Sequence, residues 1–396
     1  MARDLVLGVD FGTSYTSAGA FVDGRVELVV DNGDPMIPSV VHVPARGPLV
    51  VGHAAVGHLA AHPGTTVASI KRLLGSDLSE AGAIRRLAPT LPYRITAGAG
   101  GRALLQLGSH AFAAEQIAAA IFDRVRSLAE QRFGASIRRA VVTASAVAPP
   151  GYVEALRRAA RLAHLEIVEV LAEPIAGALA VGMHGRPASR RLLVCDFGGG
   201  TFDVTTMNQA GLRFQSIATG GDPFLGGDDL DEAMVQELAG LVFRRARFDL
   251  LRDVVRRQVL AQRCESAKRA LSSASEARMN MRDAYIEDGA GRDINIVLER
   301  TWAERLWDPL FARALTAVDD TLNRSRWSDT DVDEVVLIGG TSLVPRFQAW
   351  VSQRFEHVEV TSTDIANVAV AMGATLLTAR HGPGGAAVPV LEPMSA

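Results

Sequence analysis

Leu192-Leu193-Val194-Cys195 runs into Asp196-Phe197-Gly198-Gly199-Gly200-Thr201-Phe202-Asp203, and half a chain earlier Leu5-Val6-Leu7-Gly8-Val9 runs into Asp10-Phe11-Gly12-Thr13-Ser14-Tyr15. Each stretch reads as an apolar strand, an Asp at its carboxyl end, and a turn rich in Gly, Thr and Ser. One Gly-rich turn is a weak signal, because Gly and Asp commonly serve hairpin connections. Two related ones, each placing Asp directly after a buried strand, point to a duplicated lobe whose two loops close on one ligand from opposite sides.

The residues after each turn decide the kind of loop. Thr16 to Val22 and Val204 to Met207 are rich in β-branched and aromatic residues and carry no helical apolar period. Both motifs therefore read as strand, turn, strand. A Walker loop or a dinucleotide fingerprint would lead from its glycines into a helix, and no G-x-x-x-x-G-K-[ST] occurs in the chain. Such turns still suit phosphate, since exposed amides and hydroxyls donate to oxyanions and Gly allows close approach. Asp10, Asp196 and Asp203 are acceptor-only when ionised; beside phosphates they suit a hydrated Mg²⁺, which keeps several waters and takes few protein carboxylates.

At 396 residues the chain is long enough for two lobes, and 48% hydrophobic with 21% charged residues is ordinary globular composition. A net charge of −3 gives no reason to expect nucleic acid or an anionic membrane as partner. No apolar run reaches membrane-spanning length, and Met1 to Asp4 leads straight into the first strand without the look of a signal peptide. Cys195 and Cys264 stand alone, which fits a reducing cytoplasm. Of 41 Lys plus Arg, only Lys71 and Lys268 are lysine. A lysine that survives such a bias sits where a compact ammonium serves better than a planar fork, or survives by chance on a solvated face.

Residues 1–40 read as strands with tight turns, 41–108 as mixed, with a loop at 98–101, and 111–133 as a helix. Arg139 to Thr143 is a buried strand, followed by helices over 151–164 and, opened by Glu173-Pro174, over 173–182. Asp228, Asp229 and Asp231 fall in the first turn of a further helix, where acids suit the dipole. Helices over 253–273 and 302–323 flank strand-like alternation over 279–299; Val335 to Ile338 is a buried strand running into Gly339-Gly340-Thr341-Ser342. A small-residue helix covers 367–380, and the tail from His381 is rich in Gly, Pro and Ala and is expected to be disordered. His58 and His62 are spaced to share a helix face, but no Cys or carboxylate sits nearby at ligand spacing, so they read as ordinary polar residues.

These landmarks, in this order, resemble the nucleotide-binding domain of the Hsp70 chaperones, within the actin/hexokinase/Hsp70 superfamily, over residues 4 to about 379. The stretches that resemble Hsp70 specifically are Ile70 to Gly75, Glu173-Pro174 with its alanine-rich helix, Leu225 to Asp229, Glu265 to Ser273, and Ile338 to Pro345. The resemblance implies a two-lobed α/β actin-like ATPase with duplicated ribonuclease H-like mixed sheets, flanking helices and a central nucleotide cleft. Lobe I would be 1–188, with a peripheral subdomain at about 40–110, and lobe II 189–380, with one at about 229–300 and its last helix packing back toward lobe I; 381–396 would be a disordered tail.

The resemblance also assigns roles. Gly12, Thr13, Ser14 and Tyr15 would hold phosphate from the first lobe, and Gly198, Gly199, Gly200 and Thr201 from the second. Asp10, Glu173, Asp196 and Asp203 would surround Mg²⁺ and the attacking water, with Asp10 and Asp196 meeting the ion through waters, and Lys71 would touch the γ-phosphate. Glu265, Lys268 and Ser272 would bind ribose and adenine edges with Arg269 on the adenine face; Gly227, Gly339, Gly340, Thr341 and Ser342 would line the rest of the ATP or ADP pocket.

The departures cluster in positions that carry communication. The family's switch proline aligns with Ser145; an Arg that helps receive J-domain cochaperones is Glu169, and the Asn after it is Ala172, which speaks against an ordinary J-domain partner. Leu343 replaces a second adenine-stacking Arg, and the segment before the last helix reads Ile365-Ala366-Asn367-Val368. The chain also stops without a peptide-binding sandwich. The expectation is a chaperone-related, slowly hydrolysing Mg-ATPase that acts as a conformational switch for an unidentified protein partner. Its alternatives are an actin-like filament former, which ATP-dependent pelleting would reveal, and a hexokinase-type small-molecule kinase, which acceptor-dependent ADP release would reveal.

Overall fold

The structure, a computed structural model, describes residues 5–76, 84, 87–98, 103–149, 151–182, 189–211, 213–381 and 390–392. The first motif forms β1 (Val6–Phe11) and β2 (Tyr15–Val22), an antiparallel pair in which Asp10 faces Ser17 and Phe11 faces Thr16. β3 (Arg25–Leu28) and β4 (Ile37–Pro38) both pair with β2, and β5 (Arg139–Ala144) and β6 (Glu166–Ala172) continue the sheet in parallel on the other side of β1. The order is β6-β5-β1-β2-β3. β1 and β5 are covered on both faces, which is why both read as near-continuous apolar runs instead of alternating.

The second motif repeats this plan. β7 (Ser189–Phe197), β8 (Phe202–Ala210) and β9 (Arg213–Asp222) form an antiparallel meander, and β10 (Glu334–Ile338) and β11 (Glu359–Ser362) add in parallel beside β7. The order β11-β10-β7-β8-β9 matches the first sheet strand for strand, so the duplication suggested by two short turns extends to the sheets that hold them. Beyond β9 lies β12 (Val390–Glu392), parallel to it with Arg213 beside Val390 and Gln215 beside Glu392. This corrects the expectation of a wholly structureless tail. The open edge of β9 presents unpaired backbone groups that recruit such a segment, and a three-residue strand leaves little compositional trace. Residues 382–389 and 393–396 lie outside the described residues, as do 99–101 of the expected loop.

Helices cover the sheets: α1 (Ala114–Phe133), α2 (Tyr152–Leu162) and α3 (Glu173–Gly182) in the first half, then α4 (Gly227–Ala246), α5 (Val254–Leu271), α6 (Arg300–Ser325), α7 (Pro345–Arg354) and α8 (Ala369–Thr378). α1 starts three residues later than its periodicity suggests, because His110–Ala113 pairs instead with Ala103–Leu107. Between β4 and α1 sit two small three-stranded sheets of short strands, and α4 and α5 carry a hairpin, Glu276–Glu287 with Ala290–Glu299. His58, half-buried, and His62, exposed, stack with the buried His42 at ring separations of 3.9 to 5.4 Å.

α3 and α8 join the halves by exchange. α3 packs on β7, β8 and β10, α8 packs on β1, β2 and β5, and the two helices cross each other. Small residues make the crossing possible. A methyl on Gly373 would fall 1.8 Å from the Ala176 carbonyl oxygen, one on Gly177 would fall 2.0 Å from Ile338, and one on Gly8 would fall 2.4 Å from the Thr375 nitrogen. Three apolar cores follow: one in each lobe and one, including Val6, Ala176, Leu179, Ile338, Val370 and Ala374, at this junction.

Candidate functional site

The two Gly-rich turns face each other across a cavity of about 410 Å³. A methyl on Gly199 would lie 2.1 Å from Ser14 Oγ, and one on Gly200 would lie 2.6 Å from Thr13 Oγ1. The first turn is tightened by Gly12, where a Cβ would fall 2.1 Å from the Tyr15 carbonyl oxygen, and is tied down by Ser39 Oγ donating to the Gly12 carbonyl at 2.9 Å. The second is closed by Gly198 N–H donating to Thr201 O at 3.1 Å and capped by α4, whose Gly227 and Asp228 amides donate to Gly198 and Gly199 carbonyls at 3.1 and 2.8 Å. Gly226 cannot carry a side chain there, since its Cβ would sit 2.4 Å from the Gly199 backbone.

Side chains bridge the gap. Ser14 Oγ donates to Asp228 Oδ1 at 3.1 Å, and Ser69 Oγ donates to Asp228 Oδ2 at 2.8 Å. Arg72 donates to the Gly200 carbonyl at 3.0 Å and to Asp229 at 2.7 Å. Tyr15 OH donates to Glu265 Oε1 at 3.0 Å, and the Arg269 guanidinium lies 4.8 Å over the Tyr15 ring. Every one of these contacts joins the first half of the chain to the second.

At one end of the cavity Asp10, Glu173 and Asp196 line the wall, Asp203 lies buried behind it, and all four feel the charge of Lys71. Lys71 Nζ is buried and donates to Glu173 Oε1 at 2.5 Å. Burial acts to lower the Lys71 pKa, but Glu173, then Tyr152 and Asp10, outweigh it and hold the ammonium above the ordinary lysine value. Burial pushes Asp10 up to about 7, with Glu173 adding to the rise while Lys71 and a hydrogen bond from Thr143 oppose it. Burial pushes Asp203 up to about 6, again with Glu173 adding, against the hydrogen bond from Ser145 and the charge of Lys71. Asp196 is raised well above the carboxylate range by burial, Glu173, Asp203 and Asp10. Four carboxylates against one ammonium leave the site short of positive charge. Among the described residues no three His, Cys, Asp or Glu side chains form a ready metal cage. That combination fits a Mg²⁺ ion that keeps its waters and its phosphate ligands.

At the open end, Lys268 Nζ donates to the Gly227 carbonyl at 2.8 Å and to Asp231 at 2.5 Å. Asp231 is pushed up to about 7, burial outweighing the attraction of Lys268. Glu265, Arg269 and Ser272 lie on the same wall, opposite the turn of Gly339, Gly340 and Thr341, with Leu343, Val344 and Val370 as apolar surface. Gly339 adopts φ of 80° with its missing Cβ 2.4 Å from Phe197 O, a place open only to glycine.

Of the residues singled out in the sequence, all line the cavity except Gly200, Asp203 and Ser342. Gly200 packs behind Thr13. Asp203 is fully buried under Ser145. Ser342 is also fully buried, its hydroxyl donating to Gly339 O at 2.7 Å, so it shapes the turn from behind instead of forming the pocket surface. Asp228, Asp231, Ser69, Arg72 and Ser145 were not read as site residues. The acids at the start of α4 look like dipole partners in sequence, and nothing in the local pattern reveals their contacts 37 to 214 residues away.

Comparison with known proteins agrees with this architecture. A family model described as Hsp70 protein matches residues 6–389. Heat shock 70 kDa protein BIP3 of Oryza sativa subsp. japonica is 32% identical over 378 residues, which cover 94% of this chain and 56% of that protein. The chain thus spans little more than half the length of that curated relative. No helix among the described residues is long and apolar enough to cross a membrane. With two matching mixed sheets, facing Gly-rich turns and a family match along nearly its whole length, the chain belongs to the Hsp70 family and has that family's actin-like ATPase fold.

Proposed function

We propose that this chain binds Mg-ATP between its lobes, hydrolyses it slowly and acts as a nucleotide-driven conformational switch. The observation that carries the reading is the pair of Gly-rich turns facing across a polar cavity lined by Asp10, Glu173, Asp196 and the buried Lys71, with Asp203 buried close behind. The turns holding Thr13, Ser14, Tyr15, Gly198, Gly199 and Thr201 would donate to phosphate oxygens on binding, and Lys71 would meet the charge that develops on the transferred group. When bound, Mg²⁺ would neutralise phosphate charge, held through water by Asp10 and Asp196. Asp203, with Glu173 and Asp196 beside it, would orient the attacking water; a positioned base adds about 10²–10⁴-fold. Glu265, Lys268 and Ser272 would hold the sugar and base edges, with Arg269 against the base.

The output is a changed outer surface for a protein partner, because a ligand that touches both turns favours the closed arrangement. Glu169 is engaged by Arg380 and by His381 Nε2, the latter at 2.9 Å, so its charge is met within the chain. Calorimetry with ATP, ADP and GTP, with and without Mg²⁺, tests the reading. Mg-dependent adenine nucleotide binding followed by release of more than one phosphate per chain supports it. A pure protein that ignores adenine nucleotides overturns it.

A further inference from the structure

Asp203 sits on β8 of the second lobe, yet the groups that hold its carboxylate come from the first. Ser145 follows the last residue of β5, and its hydroxyl lies 2.9 Å from Asp203 Oδ1 and 3.1 Å from Oδ2. The amide of Val147 donates to Asp203 Oδ1 at 3.1 Å and also reaches Ser145 Oγ at 3.2 Å. A hydroxyl carries one proton and an amide one: the hydroxyl reaches both oxygens and the amide reaches Oδ1, so two protons serve the carboxylate and lone-pair capacity remains for a water. The carboxylate plane is thereby fixed, and both its residue and Ser145 are shut off from bulk solvent. Two residues earlier on the same segment, Thr143 Oγ1 donates to Asp10 Oδ1 at 3.2 Å. One short piece of lobe I therefore grips a carboxylate from each lobe.

We propose that Ser145 is a positioning residue for hydrolysis: it aims the Asp203 carboxylate at the attacking water, and only while the lobes are closed. The contact spans the lobes, so any opening that separates β5 from β8 releases Asp203 to rotate, and the carboxylate becomes useful when the donor returns. Alignment of a reacting water within a fraction of an ångström governs rate far more than binding, because affinity is carried by the phosphate and base contacts elsewhere. A hydroxyl is required; a side chain that merely fills the space leaves Oδ1 with one donor and the plane free.

The inference rests on the reading of Asp203 as the residue that orients water, and the experiment separates the two. Ser145→Ala, Ser145→Thr and Asp203→Asn are compared with the parent chain for Mg-ATP affinity by calorimetry and for single-turnover hydrolysis. Ser145→Ala is expected to bind Mg-ATP within about 3-fold of the parent while hydrolysing about 10-fold slower or worse, a loss at the level of one positioned donor. Ser145→Thr, which restores the hydroxyl, is expected to recover hydrolysis to within about 3-fold. Binding by each variant doubles as the check that it folds. Hydrolysis by Ser145→Ala at the parent rate overturns the proposal, as does a Thr variant as slow as the Ala variant, or a rate loss matched by an equal loss of affinity. Parent-like hydrolysis by Asp203→Asn would instead overturn the role given to Asp203 itself.

Discussion

Replacing Lys71 with Ala isolates the largest electrostatic element of the cavity. In the structure its Nζ lies 2.5 Å from Glu173 Oε1, and both side chains are 6% exposed. Removing one partner of such a buried pair leaves an uncompensated charge and typically costs about 3–5 kcal/mol of stability. Here the loss is compounded, since Asp10, Asp196 and Asp203 also lean on the same ammonium. Loss of one preorganised group facing transition-state charge is worth about 2.7–4 kcal/mol, or about 10²–10³ in rate. Affinity is less exposed, because the turn amides and the base wall remain. Lys71→Ala is therefore expected to bind Mg-ATP within about tenfold of the parent, hydrolyse it at least about 10²-fold more slowly in single turnover, and melt earlier without nucleotide. The double variant Lys71→Ala/Glu173→Gln separates the two effects: it removes the stranded charge and restores stability without restoring hydrolysis. Single-turnover rates within about 3-fold of the parent would refute the assignment of Lys71 to the developing phosphate charge.

The carboxylate cluster gives the nucleotide-free protein a distinctive pH dependence. Asp10 and Asp203 titrate near 7 and 6 in the fold against 3.8 when exposed, so the folded state binds protons more tightly than the unfolded one. Stability is then highest on the acid side and is lost as pH climbs from about 4 through about 7; thermal melts of nucleotide-free protein should fall across that window, and Mg-ATP should flatten the slope. Gly373→Ala places a methyl 1.8 Å from Ala176 O, so α3 and α8 must part; urea melts should show a loss of about 1–3 kcal/mol or more, and a parent-like midpoint would mean that the crossing is not tight. Leu343 borders the cavity where a guanidinium could lie against a base; Leu343→Arg should tighten ATP binding by about 0.5–2 kcal/mol in calorimetry, and unchanged affinity would place the base elsewhere.

The features legible in the sequence were those whose residue types are dictated by local geometry. Asp10 and Asp196 stand at the ends of buried strands, and the glycines beside them occupy turns where a Cβ would strike backbone, so the turns could be read without a partner. The alanine and glycine content of α3 and α8 is explained by their crossing, yet in sequence it marks only a helix. The region from 41 to 108 read as mixed because its strands are two to five residues long, too short for a period to emerge. Tertiary pairs were hidden for a different reason. Ser145 meets Asp203 and Asp231 meets Lys268 through contacts that no window of ten or twenty residues contains. The histidine stack has the same origin: His42 arrives from a separate strand, and burial with His58 and His62 as neighbours lowers its pKa.

The distribution of contacts also dictates how the cleft opens. At the junction, Gly373, Gly177 and Gly8 are in backbone-level contact with Ala176, Ile338 and Thr375, inside an apolar core. Close-packed surfaces of this kind do not deform gradually, and separating them exposes apolar area at about 25 cal/mol per Å². Around the cavity the halves are joined instead by polar contacts of partly buried or exposed groups: Ser14 and Ser69 with Asp228, Arg72 with the Gly200 carbonyl, Tyr15 with Glu265, Gln262 with the Val56 carbonyl, and Arg257 with the Thr90 carbonyl. Each can exchange its partner for water at a net cost of about 0.5–3 kcal/mol, the higher part for the pairs that include a charged group. Under the proposed switch, opening is expected to proceed from the rim and to pivot at the α3–α8 crossing, not by separation of the lobes as bodies. A nucleotide that bridges the two Gly-rich turns would restore what the rim loses, while the pair Ser145–Asp203 is a buried polar contact that spans the two halves.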